Sequence, residues 1–294
     1  MQVYTDFSRN YSEDPICYFD FRSNNKEKLN FYYGINSLKT NTKKNKYNVF
    51  FDLEEPSSDI NDYPRKFDKN FNKILSICPY TCSFINKKFK GNRQFVFFPF
   101  NDFYTPKNYE KYYDIVYTGQ MNGHELEKKL NILKNFKYAL CSFTKNKLAT
   151  HINLTYKEKL DLVSKSKISI IHNLVFPNIS HISNLKKNYD YKLNQAYSHI
   201  DLKIYPQQKS RMFEAAFCKT LMLVQRDPWN IIEHFFKPNV DFIYFNDEVD
   251  LYEIICDVLI NFSNYKLMIN NAFKKAQNYT ISKFYKKYLF KYDK

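Results

Sequence analysis

The chain has 294 residues, a formal net charge of +15 and an aromatic content of 19%. This length suffices for one large domain or for two ordinary domains with a real core. The N-terminal residues lack the apolar stretch of a signal peptide, and no run approaches the ~20 apolar residues of a membrane span. These properties argue against secreted and integral membrane classes and predict a soluble, globular, cytoplasmic protein.

The positive charge permits two interpretations. A basic chain is typical of proteins that bind nucleic acids or membrane surfaces. Nearly all of the cations here are lysines, however, and they are scattered along the chain among abundant Asn, Tyr, Phe and Ile. This distribution favours a composition bias with a general affinity for anionic partners, including peripheral contact with the inner membrane surface. The alternative is a basic nucleic-acid-binding α/β protein whose aromatic side chains stack on bases.

The cysteines do not form a metal-binding pattern. Cys78 and Cys82 lie four residues apart, but a zinc site needs about four ligands in paired clusters, and no second pair lies nearby. Cys141, Cys218 and Cys256 lie in apolar segments, as buried free thiols do. We therefore expect no metal ion and a reducing cytosolic environment.

The N-terminal part, residues 1–105, is predicted to alternate short strands with helical or loop segments. Residues 1–46 are polar and weakly patterned, with one short strand expected at 16–19. Clearer apolar runs of strand length occupy residues 47–51, 74–77 and 94–98. The polar residues 101–111 are interpreted as a linker.

A longer alternating series follows this linker. Apolar runs predict strands at residues 113–118, 138–143, 168–173, 221–224 and 242–245. Amphipathic patterns predict helices at residues 123–135, 155–164, 249–262, 265–277 and 282–290. The helix at 155–164 has the clearest start signal, because Thr155 is a favoured N-cap and Glu158 follows three residues later. Such alternation implies parallel βαβ units and a doubly wound α/β domain.

The stretch at residues 209–225 is the most informative part of this series. Two cations, Lys209 and Arg211, open a short helical face, and Glu214 lies inside its apolar run. An apolar run of strand length, residues 221–224, follows directly. This pattern predicts a helix, a tight turn and a buried strand. Charged groups at the start of the helix suit a ligand with phosphates and hydroxyls.

The predicted strand order also locates a ligand edge. In doubly wound sheets, ligands bind beyond the carboxyl ends of the strands. The candidate ligand-binding residues at this edge are Gly119, Gln120, His172, Asn173, Lys209, Ser210, Arg211 and Glu214.

The C-terminal half resembles the donor-binding domain of GT-B glycosyltransferases of the group 1 type, and especially its CgeB-like branch. The resemblance extends over residues 112–285 and depends on the order and spacing of several segments. These include DIVYTGQ at 114–120, KSKISIIHN at 165–173, KSRMFEAAFCKTLMLV at 209–224, and the segments at 231–251 and 270–280. Together these pieces are more specific than any one of them.

This resemblance implies an α/β fold with two Rossmann-like lobes, each with a parallel sheet. Residues 1–105 would be a short acceptor-binding lobe, and residues 112–281 would be the nucleotide-sugar-binding lobe. Residues 282–294 would form a C-terminal helix and tail that pack towards the N-terminal lobe.

The resemblance also implies a reaction, the transfer of a sugar from a nucleotide-sugar donor to a hydroxyl of a glycan, lipid or protein acceptor. Glu214 would accept hydrogen bonds from the ribose hydroxyls. Arg211 and Lys209 would neutralise the diphosphate as it leaves. Gly119 would let the backbone approach the ligand. GT-B enzymes generally need no catalytic metal, and we expect none here.

Two positions depart from the family pattern. Gln207 stands where many relatives have a second Glu, and Lys219 stands where they usually have Gly. A simpler interpretation of Glu214 also stays open, in which it is a helix-surface carboxylate paired with Arg211, three residues earlier.

The segment that begins at Asp52 allows a different mechanism. Asp52 and Glu54 follow an apolar strand, and GT-A glycosyltransferases hold a divalent metal with such carboxylates. A metal-dependent GT-A-type enzyme is therefore a further alternative. Within the GT-B interpretation, Asp52, Glu54 or Glu55 would instead be the catalytic general base.

Overall fold

The computed structural model describes residues 2–5, 29–34, 46–53, 68–79, 82–83, 86–87, 90–102, 104–105, 107, 109–121, 124–175, 205–227 and 229–293. The chain divides into two compact units. Unit 1 comprises Met1–Asn101, Leu174–Gln208 and Ile281–Lys294, and unit 2 comprises Asp102–Asn173 and Lys209–Thr280. The sequence analysis placed residues 174–208 within the C-terminal lobe, whereas the contacts assign them to unit 1.

The described part of unit 1 contains a five-stranded parallel sheet with the order β1-β2-β3-β4-β5. Its strands are β1 (Gln2–Thr5), β2 (Leu29–Tyr33), β3 (Tyr47–Asp52), β4 (Lys73–Ser76) and β5 (Arg93–Phe95). All five residues of β2 are buried, as expected for a parallel strand that is covered on both faces.

The remaining strands lie further along the chain. They are β6 (Tyr113–Thr118), β7 (Tyr138–Ser142), β8 (His151–Ile152), β9 (Ser166–Ile171), β10 (Leu174–Val175), β11 (Tyr205–Pro206), β12 (Leu221–Gln225) and β13 (Ile243–Phe245). Among the described residues of unit 2, six of them form a parallel sheet with the order β13-β12-β9-β6-β7-β8. The short strands β10 and β11 pair antiparallel. The chain runs outwards from β6 to β8 and then returns to β9 on the other side of β6, so a topological switch point lies between β6 and β9.

Helices connect several strands of unit 2. The α-helices are α1 (His124–Leu130), α2 (Tyr156–Ser164), α3 (Arg211–Phe217), α4 (Glu248–Ile260), α5 (Lys266–Ala276), α6 (Ile281–Phe284) and α7 (Phe290–Asp293). Shorter helical turns are the 3-10 helices Asn131–Asn135, Ile231–His234 and Phe262–Tyr265 and the π-helix Tyr285–Leu289. Among the described residues, no helix has the length and apolarity that a membrane span requires.

The core of unit 1 is largely aromatic, and the C-terminal segment supplies part of it. The ring centroids of Phe284 and Phe51 lie 5.0 Å apart, and those of Phe284 and Phe97 lie 5.5 Å apart. The backbone N–H of Ile281 donates to the carbonyl of Phe100 at 2.8 Å. The chain thus begins at β1 and ends at α6 and α7 within the same unit.

Helix α2 begins at the predicted capping box. The Oγ1 atom of Thr155 accepts from the backbone N–H of Glu158, and the Glu158 carboxylate accepts from the backbone N–H of Thr155 at 2.9 Å. The hydrogen bonds that the carboxylate accepts from the Thr155 hydroxyl and from the Thr155 backbone N–H lower the pKa of Glu158. The expectation from the sequence is confirmed.

Replacing Thr155 by Ala should lower the free energy of unfolding by about 1 kcal/mol, because the backbone N–H of Glu158 loses the side-chain oxygen that accepts its hydrogen bond. Urea denaturation followed by circular dichroism would measure this change. Thr155→Ser keeps the hydroxyl and should stay close to the parent protein. An equal loss in both variants would mean that the methyl group, and not the cap, stabilises this position.

The strand predictions for the second series are confirmed, since β6, β7, β9, β12 and β13 lie where apolar runs were found. The polar appearance of residues 1–46 was misleading, because β1 and β2 lie there. The strand expected at 16–19 lies outside the described residues. The short strands β8, β10 and β11 were not predicted.

Candidate functional site

Unit 2 contains a cleft of about 170 Å³ at the carboxyl ends of β6 and β7. The register pairs Thr118 on β6 with Cys141 on β7, so these two strands end at the same edge of the sheet. The cleft is lined by Thr118, Gly119, Cys141, Ser142, Phe143, Leu154, Lys159, Ser210, Arg211 and Glu214. It lies beside the switch point, where an open α/β sheet is expected to bind its ligand.

Gly119 and Arg211 form one wall of this cleft. Gly119 has a φ of +139°, and a Cβ atom added to it would lie only 2.7 Å from Cζ and from Nη1 of Arg211. The guanidinium also donates from Nη1 to the Tyr117 hydroxyl at 2.8 Å and lies 5.3 Å from the centroid of that ring. Glycine is favoured here because its backbone conformation disfavours L side chains. A side chain at this position would also have to displace the guanidinium, the flexible end of Arg211.

Glu214 lies in a buried part of the same cleft. It is 4% exposed, and the neighbouring residues of α3, Phe213 and Ala215, are also buried. The Lys159 ammonium lies 3.0 Å from Oε1 and 2.9 Å from Oε2 of Glu214. The simpler interpretation of Glu214 as a surface carboxylate paired with Arg211 is therefore wrong.

Lys159, which belongs to α2, was not predicted from the sequence as a site residue. No motif marked it, and its position in the cleft depends on how α2 packs beside α3. The one local signal was the capping box, which fixes the start of α2 and so the face on which Lys159 lies. Its backbone N–H donates to the carbonyl of Thr155 at 2.9 Å.

The end of β7 supplies the opposite wall. Burial raises the pKa of the Cys141 thiol above its ordinary value, and so the thiol is a poor nucleophile here. Phe143 is half-exposed, and with Leu154 it gives the cleft an apolar side. This wall suits the apolar face of a sugar or a base.

The other predicted site residues lie near the same sheet edge. Ser210 lines the cleft, and its carbonyl accepts from the backbone N–H groups of Phe213 and Glu214. The carbonyl of Gln120 accepts from the Tyr117 hydroxyl at 3.4 Å. Lys209 directly precedes Ser210 and is partly buried.

His172 and Asn173 follow β9 and are both buried, at 4% and 0% exposure. Neither of them lines the cleft. Their position at the end of the central strand is as predicted from the sequence. Their predicted contact with a donor stays a prediction.

Of the candidate catalytic residues Asp52, Glu54 and Glu55, the structure describes only Asp52. Asp52 ends β3 with no exposed surface, and its Oδ2 lies 3.4 Å from Nη1 of the equally buried Arg93. Arg93 also contacts Asp68 at 3.2 Å. Glu54 lies outside the described residues. Within the described part of the chain, no group of three or more His, Cys, Asp or Glu side chains could hold a metal ion.

Lys219 adopts a backbone conformation that favours glycine. It follows α3 with a φ of +52°, a left-handed conformation that costs a residue with a Cβ atom roughly 1–2 kcal/mol. Its carbonyl accepts from the Lys111 ammonium at 2.9 Å. Burial lowers the pKa of that ammonium to about 8. The helix thus ends in the same way with lysine as it would with glycine, at a conformational cost.

Comparison with known proteins gives this geometry a family context. Residues 143–280 match the model of a family described as glycosyl transferase-like. The match includes Lys159 and the whole of α3 and ends with unit 2. The chain has a GT-B fold, and its residues 143–280 are similar to the glycosyl transferase-like family. The sequence resemblance to GT-B glycosyltransferases is confirmed, and the GT-A alternative for the fold is wrong.

Solved structures support the same fold over nearly the whole chain. S. aureus TarM superposes with a TM-score of 0.60 at 11% identity, and the match covers 95% of this chain and 58% of TarM. The pneumococcal O-GlcNAc transferase GtfA gives a TM-score of 0.55 at 7% identity, with coverages of 94% and 58%. Anabaena HepE gives 0.57 at 9% identity, with coverages of 96% and 82%. The chain therefore spans little more than half the length of TarM and GtfA, and no curated protein matches it significantly.

Proposed function

We propose that this protein is a glycosyltransferase that moves a sugar from a nucleotide-sugar donor to an acceptor hydroxyl. The observation that carries the proposal is that Arg211 and Glu214 line the same cleft within the part of the chain that is similar to glycosyl transferases. To bind a nucleoside diphosphate, a site needs a cation that contacts the phosphates and a carboxylate that accepts hydrogen bonds from the ribose hydroxyls. Both are held in place, Arg211 by Tyr117 and Glu214 by Lys159.

In this proposal, Arg211 binds the diphosphate. Its planar guanidinium presents five N–H groups and suits bidentate contact with phosphate oxygens. Nη1 already donates to Tyr117, which fixes the plane of the fork before a ligand arrives. A cation that is fixed in advance stabilises the charge on the leaving nucleoside diphosphate without reorganisation. Lys209 adds positive charge next to this site, and the proposal requires no metal ion.

Glu214 binds the ribose in the same proposal. An ionised carboxylate accepts hydrogen bonds only and has about four lone-pair positions. Lys159 occupies one direction on each oxygen, and the 2′ and 3′ hydroxyls of a ribose would take the others. Phe143 and Leu154 would then contact the apolar part of the donor.

Known ligands of similar folds support a nucleotide-sugar donor. GtfA was solved with UDP and GlcNAc, and HepE was solved with UDP-glucose. TarM was solved with UDP and an α-GlcNAc-glycerol. We therefore propose a ribonucleoside diphosphate sugar as donor, with UDP-sugars as the first to test, and a glycan or lipid as acceptor. Peripheral membrane contact through the lysine-rich surface belongs to the same proposal.

A thermal-shift experiment tests this function. UDP, GDP, ADP and CDP would be compared with a single-stranded oligonucleotide at equal charge concentration. A nucleotide at about 100 times its Kd should raise the free energy of unfolding by about 2.7 kcal/mol. Stabilisation by the oligonucleotide and by none of the four nucleotides would refute the proposal and favour the nucleic-acid-binding alternative.

The matched variants are Arg211→Met and Lys128→Met. Arg211→Met should remove most of the nucleotide-dependent shift, because the phosphate loses its fixed cation. Lys128 is an exposed cation of the same unit, paired with Glu248 at 3.2 Å and remote from the cleft, and its replacement should leave the shift unchanged. Equal loss in both variants would mean that only general positive charge binds the nucleotide.

A further inference from the structure

The ion pair between Lys159 and Glu214 joins two elements that the family resemblance treats differently. Glu214 lies in one of the sequence motifs that carry the resemblance, whereas Lys159 lies on α2, inside the family match over residues 143–280 but in none of those motifs. Glu214 is 5% exposed at its side chain and Lys159 is 24% exposed at its side chain. Both side chains line the cleft.

Lys159 is held in place from its own helix. Its ammonium lies 4.5 Å from the centroid of the Tyr156 ring, a distance at which a cation is attracted to the ring face. Its backbone lies in the first turn of α2, which the capping box at Thr155 fixes. The position of the ammonium is therefore set by α2, and α3 brings Glu214 to it.

The contact geometry determines what Glu214 can do. The ammonium lies almost equally far from the two carboxylate oxygens, at 3.0 and 2.9 Å, so it bridges them and fixes the plane of the carboxylate. The lone pairs that do not face Lys159 are available to a ligand in the cleft. The other titratable groups around Glu214 are Arg211 and Cys218 on its own helix segment and Cys141 at the end of β7.

We propose that Lys159 is a positioning residue for donor binding, which orients the Glu214 carboxylate so that it accepts both hydroxyls of the donor ribose. This inference rests on the proposed function. It assigns to Lys159 an indirect role, because its ammonium acts through Glu214 and does not itself contact the donor. It also makes the protein selective for ribonucleotides over 2′-deoxyribonucleotides.

The first test compares nucleotide affinities by isothermal titration calorimetry. The probes are UDP, GDP, ADP and CDP with their 2′-deoxy counterparts, and the variants are Lys159→Met, Lys159→Arg and Lys157→Met. The parent protein should bind a ribonucleotide about tenfold more tightly than its deoxy form, as the loss of one hydrogen bond to a charged group predicts. Lys159→Met should lose about tenfold in ribonucleotide affinity and most of this preference.

Two controls separate positioning from a merely structural role. Lys159→Arg keeps a cation next to Glu214 and should restore the preference for ribose. Lys157 is an exposed lysine two residues away, whose ammonium lies 5.6 Å from the ring of Tyr104, and Lys157→Met should behave as the parent protein. If Lys159→Met weakens ribo and deoxy forms equally, the proposed positioning role is wrong.

A double-mutant cycle tests whether Lys159 acts through Glu214. In a Glu214→Gln background, Lys159→Met should cause little further loss of affinity, because its target is already gone. A further loss as large as that in the parent background would show that Lys159 contacts the ligand directly, against the proposal.

Nucleotide binding by the parent protein distinguishes a failure of the proposed function from a failure of the proposed role of Lys159. If it binds none of the four ribonucleotides, the proposed function and the ribose assignment both fail. The orientation of Glu214 by Lys159 is then decided by the same cycle measured in urea unfolding. Additive effects on the free energy of unfolding would refute it, and strongly non-additive effects would support it.

Discussion

Replacing Arg93 by Met should lower the free energy of unfolding of unit 1 by about 3–5 kcal/mol, because it leaves a buried carboxylate without its cation. Asp52 and the Arg93 side chain have no exposed surface. Asp68, the second partner, is 19% exposed at its side chain and can recover some hydration. The loss of stability should therefore come mainly from Asp52. Urea denaturation would measure this loss, with unfolding followed by near-ultraviolet circular dichroism of the aromatic side chains.

A charge-neutral double variant is the control for this prediction. Arg93→Met with Asp52→Asn removes both members of the buried pair, and it should be clearly more stable than Arg93→Met alone. Lys87→Met, which removes an exposed cation of the same unit, should change the free energy of unfolding by less than about 0.5 kcal/mol. If Arg93→Met is as mild as Lys87→Met, the buried pair contributes nothing to the stability of unit 1.

The same variants examine the predicted role of Asp52 as a general base. A base must reach the acceptor hydroxyl, at about 2.6–3.2 Å between heavy atoms or through one water. The carboxylate of Asp52 has no exposed surface and already contacts Arg93. If Asp52→Asn abolishes sugar transfer while nucleotide binding and stability persist, Asp52 is catalytic. If transfer and stability fall together, its role is structural.

Local signals in the sequence predicted the strands of unit 2 and failed for part of unit 1. Strand β6 is an apolar run followed by glycine, and both its ends were predicted correctly. Strand β2 was missed because Asn30 interrupts its apolar run. In the structure, Asn30 is buried and its amide donates to Oδ1 of Asn48 at 2.9 Å on the neighbouring strand. A polar residue that forms a hydrogen bond between strands looks the same in sequence as one in a loop.

The sequence predicted only those residues of the candidate site whose position follows from the topology of the sheet. Parallel strands end at one edge, and this rule brought Gly119, Arg211 and Glu214 together in advance. The rule says nothing about pairs set by tertiary packing. Lys159 lies 55 residues from Glu214 in the chain, and Arg93 lies 41 residues from Asp52. Neither pair has a local signature, because each depends on which elements become neighbours in the fold.

Replacing Gly119 by Ala should have the largest effect on the cleft. The new Cβ atom would overlap the Arg211 guanidinium, and the φ of +139° disfavours any L side chain. The backbone strain should lower the free energy of unfolding by about 1–3 kcal/mol. Displacement of the guanidinium from Tyr117 should also weaken nucleotide binding by at least about tenfold, since a phosphate contact with a charged donor is worth about 1.5–3 kcal/mol. Calorimetric titration with UDP, GDP, ADP and CDP, together with urea unfolding, would measure both effects.

Backbone strain and displacement of the guanidinium can be separated by replacing Arg211. In an Arg211→Met background there is no guanidinium for the new methyl group to displace, so Gly119→Ala should add backbone strain and little further loss of nucleotide affinity. The losses in affinity should therefore be strongly non-additive, while the cost in unfolding persists. If Gly119→Ala binds nucleotide as the parent protein does, then the position of Arg211 against Gly119 does not matter for the ligand. The proposed fixed position of the guanidinium would then be wrong, and Arg211→Met alone would decide whether Arg211 binds the diphosphate.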